Sequence, residues 1–509
     1  MGMGGINVRR RVSHVFATGV WISVVGFVVM GVINYLTRRL LVHVLDRSAY
    51  GFFYSAFSFS SVVVTIVGGG VGHSVMVLMS KYYSVGDSAR ARSILGHGVA
   101  VTLVTGLLLG LAVWLAGPVL LTRYFGYPSG VWPYALICLS IPLSAVLSNL
   151  LGALNVVRDY VARNVIYMGQ YLVLYLVSLF GVERHGLVAV TGGLAASHLV
   201  MLGVALPYVC VWRKLISLDF LRVRGVARET LHFSAWTTLS ATGMLLMANL
   251  DTLILTRMAG LERVAIYNVA LPIVQIFQVS MIIPLVFAPI ATDLWHTGRR
   301  DELAAVCRFV VDALTLIGGA VVVFLIPCSN TVIGVLFGGG FEEAAAPLAL
   351  LGAGMPLFAI SQFFMYMLMA IGRPAETGVV SLVSIVISMA LNVALIHVWD
   401  IRGAALATAI SYAGMMLLAH GALTRHMGVR ISHRGWRMIV MECAGFGVVG
   451  FIAGTRVRGI LGSLLVSIGL VVLFLLVNYR RICGLWAEGR GLQAGRDAVI
   501  DDKGGGGRK

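Results

Sequence analysis

Residues 236–270, WTTLSATGMLLMANLDTLILTRMAGLERVAIYNVA, decide the fold. An apolar run of helix length holds one carboxylate, Asp251, and a short Arg-bearing turn then leads to a second apolar run near Ile266. An ionisable group deep in a bilayer-length helix costs about 2.5 to 3.5 kcal/mol, so it faces protein or water rather than lipid. Asp251 is therefore the first functional candidate. The turn also echoes the start of the chain. Leu261 to Ala265 (LERVA) matches Leu45 to Ala49 (LDRSA) at an offset of 216, and Asp251 falls on Asn34 at 217. The second half of the protein reads as a copy of the first.

Composition supports a membrane reading along the whole chain. Of 509 residues 59% are hydrophobic and 12% charged, and the mean hydropathy is +0.93. A soluble chain carries about 25% charged residues. The apolar runs are helix-length without strict alternation, and unpaired backbone cannot sit in hydrocarbon, so the expected class is all-α, polytopic, with helices rather than barrel strands. The six cysteines, Cys138, Cys210, Cys307, Cys328, Cys443 and Cys483, are scattered without CxxC or metal-ligand spacing and read as packing residues.

Fourteen spans are expected, near 15–37, 50–79, 94–116, 132–154, 164–182, 186–211, 231–255, 266–290, 305–327, 346–370, 377–397, 402–423, 437–454 and 460–478. Roughly three quarters of the 38 Lys and Arg residues then share the N-terminal side of the membrane, which puts both termini in the cytoplasm of a plasma-membrane protein. That sidedness explains the net charge of +17 without nucleic acid. Other matches follow the repeat: GLVAVT at 186–191 with GAALAT at 403–408 (217), Pro142 with Pro356 (214), and Gly86 with Gly298 (212). The expected organisation is an N-lobe at 1–212, a C-lobe at 213–425, appended helices at 426–480 and a basic disordered tail at 481–509. Six spans per copy insert both lobes the same way up, with a path between them.

Cationic residues border the inner ends of the spans. Lys81 follows the second span; Arg158 and Arg163 flank the turn before the fifth; Arg373 stands in Gly372-Arg373-Pro374. Snorkelling to lipid phosphates explains such residues. Guanidinium also fits phosphate oxygens in a bidentate way that ammonium does not, so Arg158, Arg163 and Arg373, with Lys81, are candidates for receiving an anionic lipid carrier. Asp251, shielded from water and with no cation one turn away, suits coupling to Na+ or H+. No GxxxxGK[ST], HExxH or GxSxG occurs, so the chain has no P-loop of its own and no hydrolase signature. A membrane glycosyltransferase needs a large outer loop with acid or base groups. The expected loop at 328–345 offers only Glu342 and Glu343, so an enzyme is not expected.

The run DTLIL at 251–255 followed by GLERVAIYNVA at 260–270 resembles the seventh-to-eighth helix junction of polysaccharide-type flippases in the multidrug/oligosaccharidyl-lipid/polysaccharide (MOP) exporter superfamily. LDRSAYGFF at 45–53 with KYYSVGDSARARSIL at 81–95 is similar to the first-to-third helix region of the same group. The resemblance implies two six-helix lobes around a cavity lined by the first and seventh helices, bearing Asn34 and Asp251. It implies alternating access, no cofactor, and a monomer that turns a polyprenyl-phosphate-linked or polyprenyl-pyrophosphate-linked oligosaccharide from the cytoplasmic to the outer leaflet, often with cation coupling. The alternative within the superfamily is a cation-coupled multidrug or metabolite antiporter. Peptidoglycan-precursor flippases of this group carry cavity arginines in the first two helices. Spans read as 15–37 and 50–79 hold none.

Overall fold

A computed structural model describes residues 25–216 (27 apart), 225–275, 282–427 and 459–485, with 445 and 449. Among them the chain is α-helical without strands, and nine helices are long and apolar enough to cross a membrane. The protein is an all-α polytopic membrane protein. The start of the first span, all of the thirteenth span at 437–454 but 445 and 449, and the tail beyond 485 lie outside the described residues; residues 481–485, expected as disordered tail, are helical, with Ile482 and Leu485 packed beside Phe474.

Helix α1 runs through 28–44. Asp46 caps α2, Arg47–Val64, by accepting from the Ala49 amide at 3.1 Å. Asp87 does the same for α4, Ser88–Leu115, and Asp159 for α6, Tyr160–His185, each satisfying an amide that has no partner within its helix. Between α2 and α3, Gly70–Ser84, five residues, Thr65–Gly69, form a π turn. Helices α5, Val131–Val156, and α7, Leu187–Pro207, complete a first bundle with α8, Val226–Met258, and α9, Leu261–Gln275.

The remaining helices are α10 (Ile282–His296), α11 (Arg300–Phe337), α12 (Ala345–Ala370), α13 (Pro374–Met427, bent at Asp400) and α14 (Ile460–Val477). Helix α11 continues past Pro327 to a stop at Gly338, so most of the stretch expected as the outer loop 328–345 is helix. Proline lies within the span and does not end it, which membrane helices tolerate. Phe474 of α14 is fully buried beside Leu316 and Val323 of α11.

The chain divides into two compact units, 1–272 with 392–404, and 273–391 with 405–509. The packing division thus falls at Pro272 rather than at residue 212, because α8 packs on α2 and α3. Arg263 at the start of α9 pairs with Asp400 at 2.8 Å, which ties 392–404 to the same unit.

Local geometry recurs between the halves. Gly86 (φ +83) and Gly298 (φ +74) occupy the same turn, closed by Gly86 N to Tyr83 O and Asp87 N to Tyr82 O, and by Gly298 N to Trp295 O and Arg299 N to Leu294 O. Arg158 (φ +59) and Gly372 (φ +80) end α5 and α12 alike, and Gly186 (φ 53, ψ −132) matches Asp400 (φ 54, ψ −131). In the first unit a Cβ at Gly106 would meet Pro142 Cα at 2.9 Å, and in the second one at Gly318 would meet Pro356 Cβ at 2.6 Å. These pairs hold offsets of 212 to 214. The alignment of GLVAVT with GAALAT at 217 is therefore three residues out of step, since Gly186 stands with Asp400. A slip of nearly one helical turn leaves an apolar pattern almost unchanged, which is why the sequence permits it. The register of the helix ends pairs Asp251 with Thr37 rather than with Asn34.

Candidate functional site

The hairpin of α8 and α9 sits against α1 and α2. Gly51 of α2 permits it, because a Cβ there would lie 1.9 Å from the carbonyl oxygen of Leu261. One turn along, the hydroxyls of Ser55 and Thr256 share a hydrogen bond of 2.6 Å. Tyr124 donates to the carbonyl of Leu253 at 2.9 Å from the π turn Leu120–Tyr124. Each contact replaces bulk by a short polar or backbone approach, as expected where helices associate without a hydrophobic driving force.

Asp251 lies inside this hairpin, 4% exposed. Its Oδ2 accepts from the Tyr267 hydroxyl of α9, and Oδ1 accepts from the Thr252 amide at 2.7 Å. Sequence reasoning supplied no near partner for it because Tyr267 is sixteen residues on, across a turn. Burial of the carboxylate within protein agrees with the cost argument for an intramembrane acid.

The first helix holds an arginine that the span boundary concealed. Helix α1 extends to 44, so Arg38 is within it, 6% exposed. This corrects the expectation that the first two spans carry no arginine: the apolar run ends at 37, but the helix does not. Arg38 Nη1 donates to the carbonyl of Asn268 at 2.6 Å, and the guanidinium stands 4.2 Å from the Tyr54 ring centre. No carboxylate pairs with it among the described residues. Its Nε and the nearby Tyr50 hydroxyl are buried without a hydrogen bond of acceptable geometry. Asn34, half-buried, lies one turn earlier on the same helix.

Three of the four cationic candidates, Lys81, Arg158 and Arg163, gather at another end of the unit. Tyr82, Val156, Val157, Ala162 and Ile216 pack on one apolar cluster, which brings together the ends of α3, α5 and α7 and the start of α6. Lys81 is exposed there, 4.9 Å from the Tyr82 ring centre. Arg158 is exposed, while Arg163 is half-buried, donating to Asn164 at 3.1 Å. Asp159 between them accepts from Tyr208 at 2.7 Å and from Arg213 Nε at 2.8 Å. Partial desolvation pushes the Asp159 carboxyl up, but the Tyr208 hydroxyl, the Arg213 guanidinium and the Ala162 amide outweigh it and hold the group below the usual carboxylate range. Arg373, in the second unit, is exposed directly after the Gly372 turn.

The family model described as "Polysaccharide biosynthesis protein" matches residues 16–295. An uncharacterised membrane protein of Methanocaldococcus jannaschii is 21% identical over 426 residues, 80% of this chain and 84% of that protein. The probable low-salt glycan biosynthesis flippase Agl15 of Haloferax volcanii is 22% identical over 213 residues, 41% of this chain and 45% of that protein. The lipid II flippase MurJ in an inward closed conformation shares the fold with a TM-score of 0.72 at 12% identity, over 91% of this chain and 99% of that one. An inward-facing multidrug resistance MATE family transporter of the MOP superfamily gives 0.66 at 14% identity, over 82% and 95%.

Proposed function

Because the chain belongs to the polysaccharide biosynthesis protein family, we propose that it is a flippase. It carries a polyprenyl-phosphate-linked or polyprenyl-pyrophosphate-linked oligosaccharide from the cytoplasmic to the outer leaflet of the plasma membrane. Family membership over more than half of the chain carries this reading, and a fold shared with a lipid II flippase supports it. Lys81, Arg158 and Arg163 of the first unit collect the phosphate on the cytoplasmic side, and Arg373 offers a guanidinium for it at the corresponding turn of the second. The sugars enter a wet path while the prenyl tail stays in lipid, and the helices that carry Asn34 and Asp251 border that path. Protonation of Asp251, or binding of a cation there, biases two alternating states. The protein acts as a monomer with both termini cytoplasmic, and performs no covalent chemistry.

A cation-coupled antiporter is the rival, since MATE transporters share the fold. Arg38 weighs against it: a buried guanidinium with no carboxylate paired to it among the described residues repels an organic cation and suits an anionic head group. The test is reconstitution in vesicles with a labelled polyprenyl-pyrophosphate-linked oligosaccharide, scored by loss of label to an impermeant glycosidase outside. Protein-dependent exposure of the label is expected. Absence of flipping, together with proton-driven efflux of organic cations, would overturn the proposal.

A further inference from the structure

Pro272 lies within α9 and has no amide hydrogen, so the carbonyl of Asn268, four residues earlier, has no donor within its own helix. That orphaned oxygen is the one Arg38 holds, at 2.6 Å. Pro272 is also the last residue of the first compact unit before the chain passes to Ile273 in the second. One proline thus creates the acceptor for a buried guanidinium and marks the crossing between units.

Among the described residues the partners of Arg38 are uncharged: a carbonyl dipole and the face of Tyr54. A full positive charge held by neutral groups exchanges readily for an anion, because hydrogen bonds to an ionised acceptor are about twice as strong and phosphate takes guanidinium in a bidentate fork. At 6% exposure no anion reaches the guanidinium where it lies. Binding one requires the side chain to leave the Asn268 carbonyl.

We propose that Arg38 is a latch: it fastens α1 to the carbonyl freed by Pro272, and an anionic phosphate head group that captures the guanidinium releases α1 from α9. The anion clause rests on the proposed phosphate-linked cargo. The carbonyl contact does not. Release at this point frees the first helix beside the crossing between units, so arrival of charge is converted into motion of backbone.

The test is hydrogen exchange of the α1 peptide in the full chain in nanodiscs, for Arg38→Met, Pro272→Ala and the double variant. In Pro272→Ala the restored amide takes the Asn268 carbonyl, so Arg38 loses its acceptor although its own residue is intact. Each single change is expected to raise α1 exchange about 10-fold, and the double no further. Inorganic pyrophosphate should raise exchange in the wild type and leave Arg38→Met unmoved. Arg38→Lys, which keeps charge and one donor, should retain part of the wild-type protection. Additive effects of the two substitutions, or no wild-type response to pyrophosphate, would overturn the latch even if lipid-linked sugar is flipped. If the cycle and the pyrophosphate response hold but no lipid-linked sugar is flipped, the latch stands and the flippase reading falls.

Discussion

Replacing Gly51 by alanine should strike the seat of the α8 and α9 hairpin. The added Cβ would stand 1.9 Å from Leu261 O and 2.7 Å from Leu261 C, both backbone atoms that no rotamer change removes. Ordinary contact needs about 3.4 Å, so the α8 and α9 hairpin must retreat by roughly 1.5 Å. A retreat of that size along their axes carries the Arg38 to Asn268 bond and the Ser55 to Thr256 bond, each 2.6 Å, beyond hydrogen-bonding reach. Overpacking costs about 1 to 3 kcal/mol, and each buried hydrogen bond broken adds about 1. The net expectation is about 3 to 5 kcal/mol against this arrangement. A fluorescence or calorimetric melt in detergent reads it as a lower melting temperature, with Gly203→Ala as the control because nothing lies within 4 Å of its added Cβ. Gly203→Ala should be neutral or slightly stabilising. A Gly51→Ala protein that melts with the wild type and keeps its exchange protection at 261–275 would refute the packing argument.

Other outcomes follow from the same interactions. Asp251→Asn should slow transport without loss of insertion and flatten its dependence on pH between 5 and 8; wild-type rates and slope in the variant would remove the coupling role. Tyr267→Phe withdraws one of the two donors to a buried carboxylate, so a loss of about 1.5 to 3 kcal/mol in stability is expected by thermal melting. The Asp159 carboxyl is held low in the folded state, so its contribution is complete above about pH 4 and is lost as pH falls through the folded value. Asp159→Asn should shallow the acid arm of a pH-stability curve by no more than about 1 kcal/mol for this partly exposed pair, and an unchanged arm would show the clasp to be idle. Asn149→Leu removes a 2.8 Å bond to Thr102 deep in the first bundle and should cost about 1 to 3 kcal/mol, measured by denaturant or heat.

The legible features of the sequence were those with local chemistry. Asp46, Asp87 and Asp159 stand at the starts of helices and cap them, and Gly86, Gly298 and Gly372 stand where the backbone turns left-handed. The burial of Asp251 follows from the cost of charge in hydrocarbon. Less could be read where hydropathy alone drew the line. Arg38 comes one residue after the apolar run, so it resembled a boundary charge, and only tertiary partners turn it inward. Helix α11 outran its expected end because the breakers come at Gly338 and Gly340, not at Pro327. The carbonyl of Asn268 is orphaned by a residue visible in the sequence, Pro272, yet the donor that claims it lies 230 residues away.

The π turn at Thr65–Gly69 has its own implication for the span it interrupts. One residue more in the turn sets everything downstream about 100° behind its place in an unbroken helix. Tyr50, Phe53 and Tyr54 before it and Val71, Val75 and Met79 after it are thereby aimed in directions that an unbroken helix could not reconcile. Deleting a single residue from 65–69 would restore a regular spiral and leave the inner half of the span seated, whereas a substitution that let all five residues wind as α-helix would turn it out of its socket by about 100°.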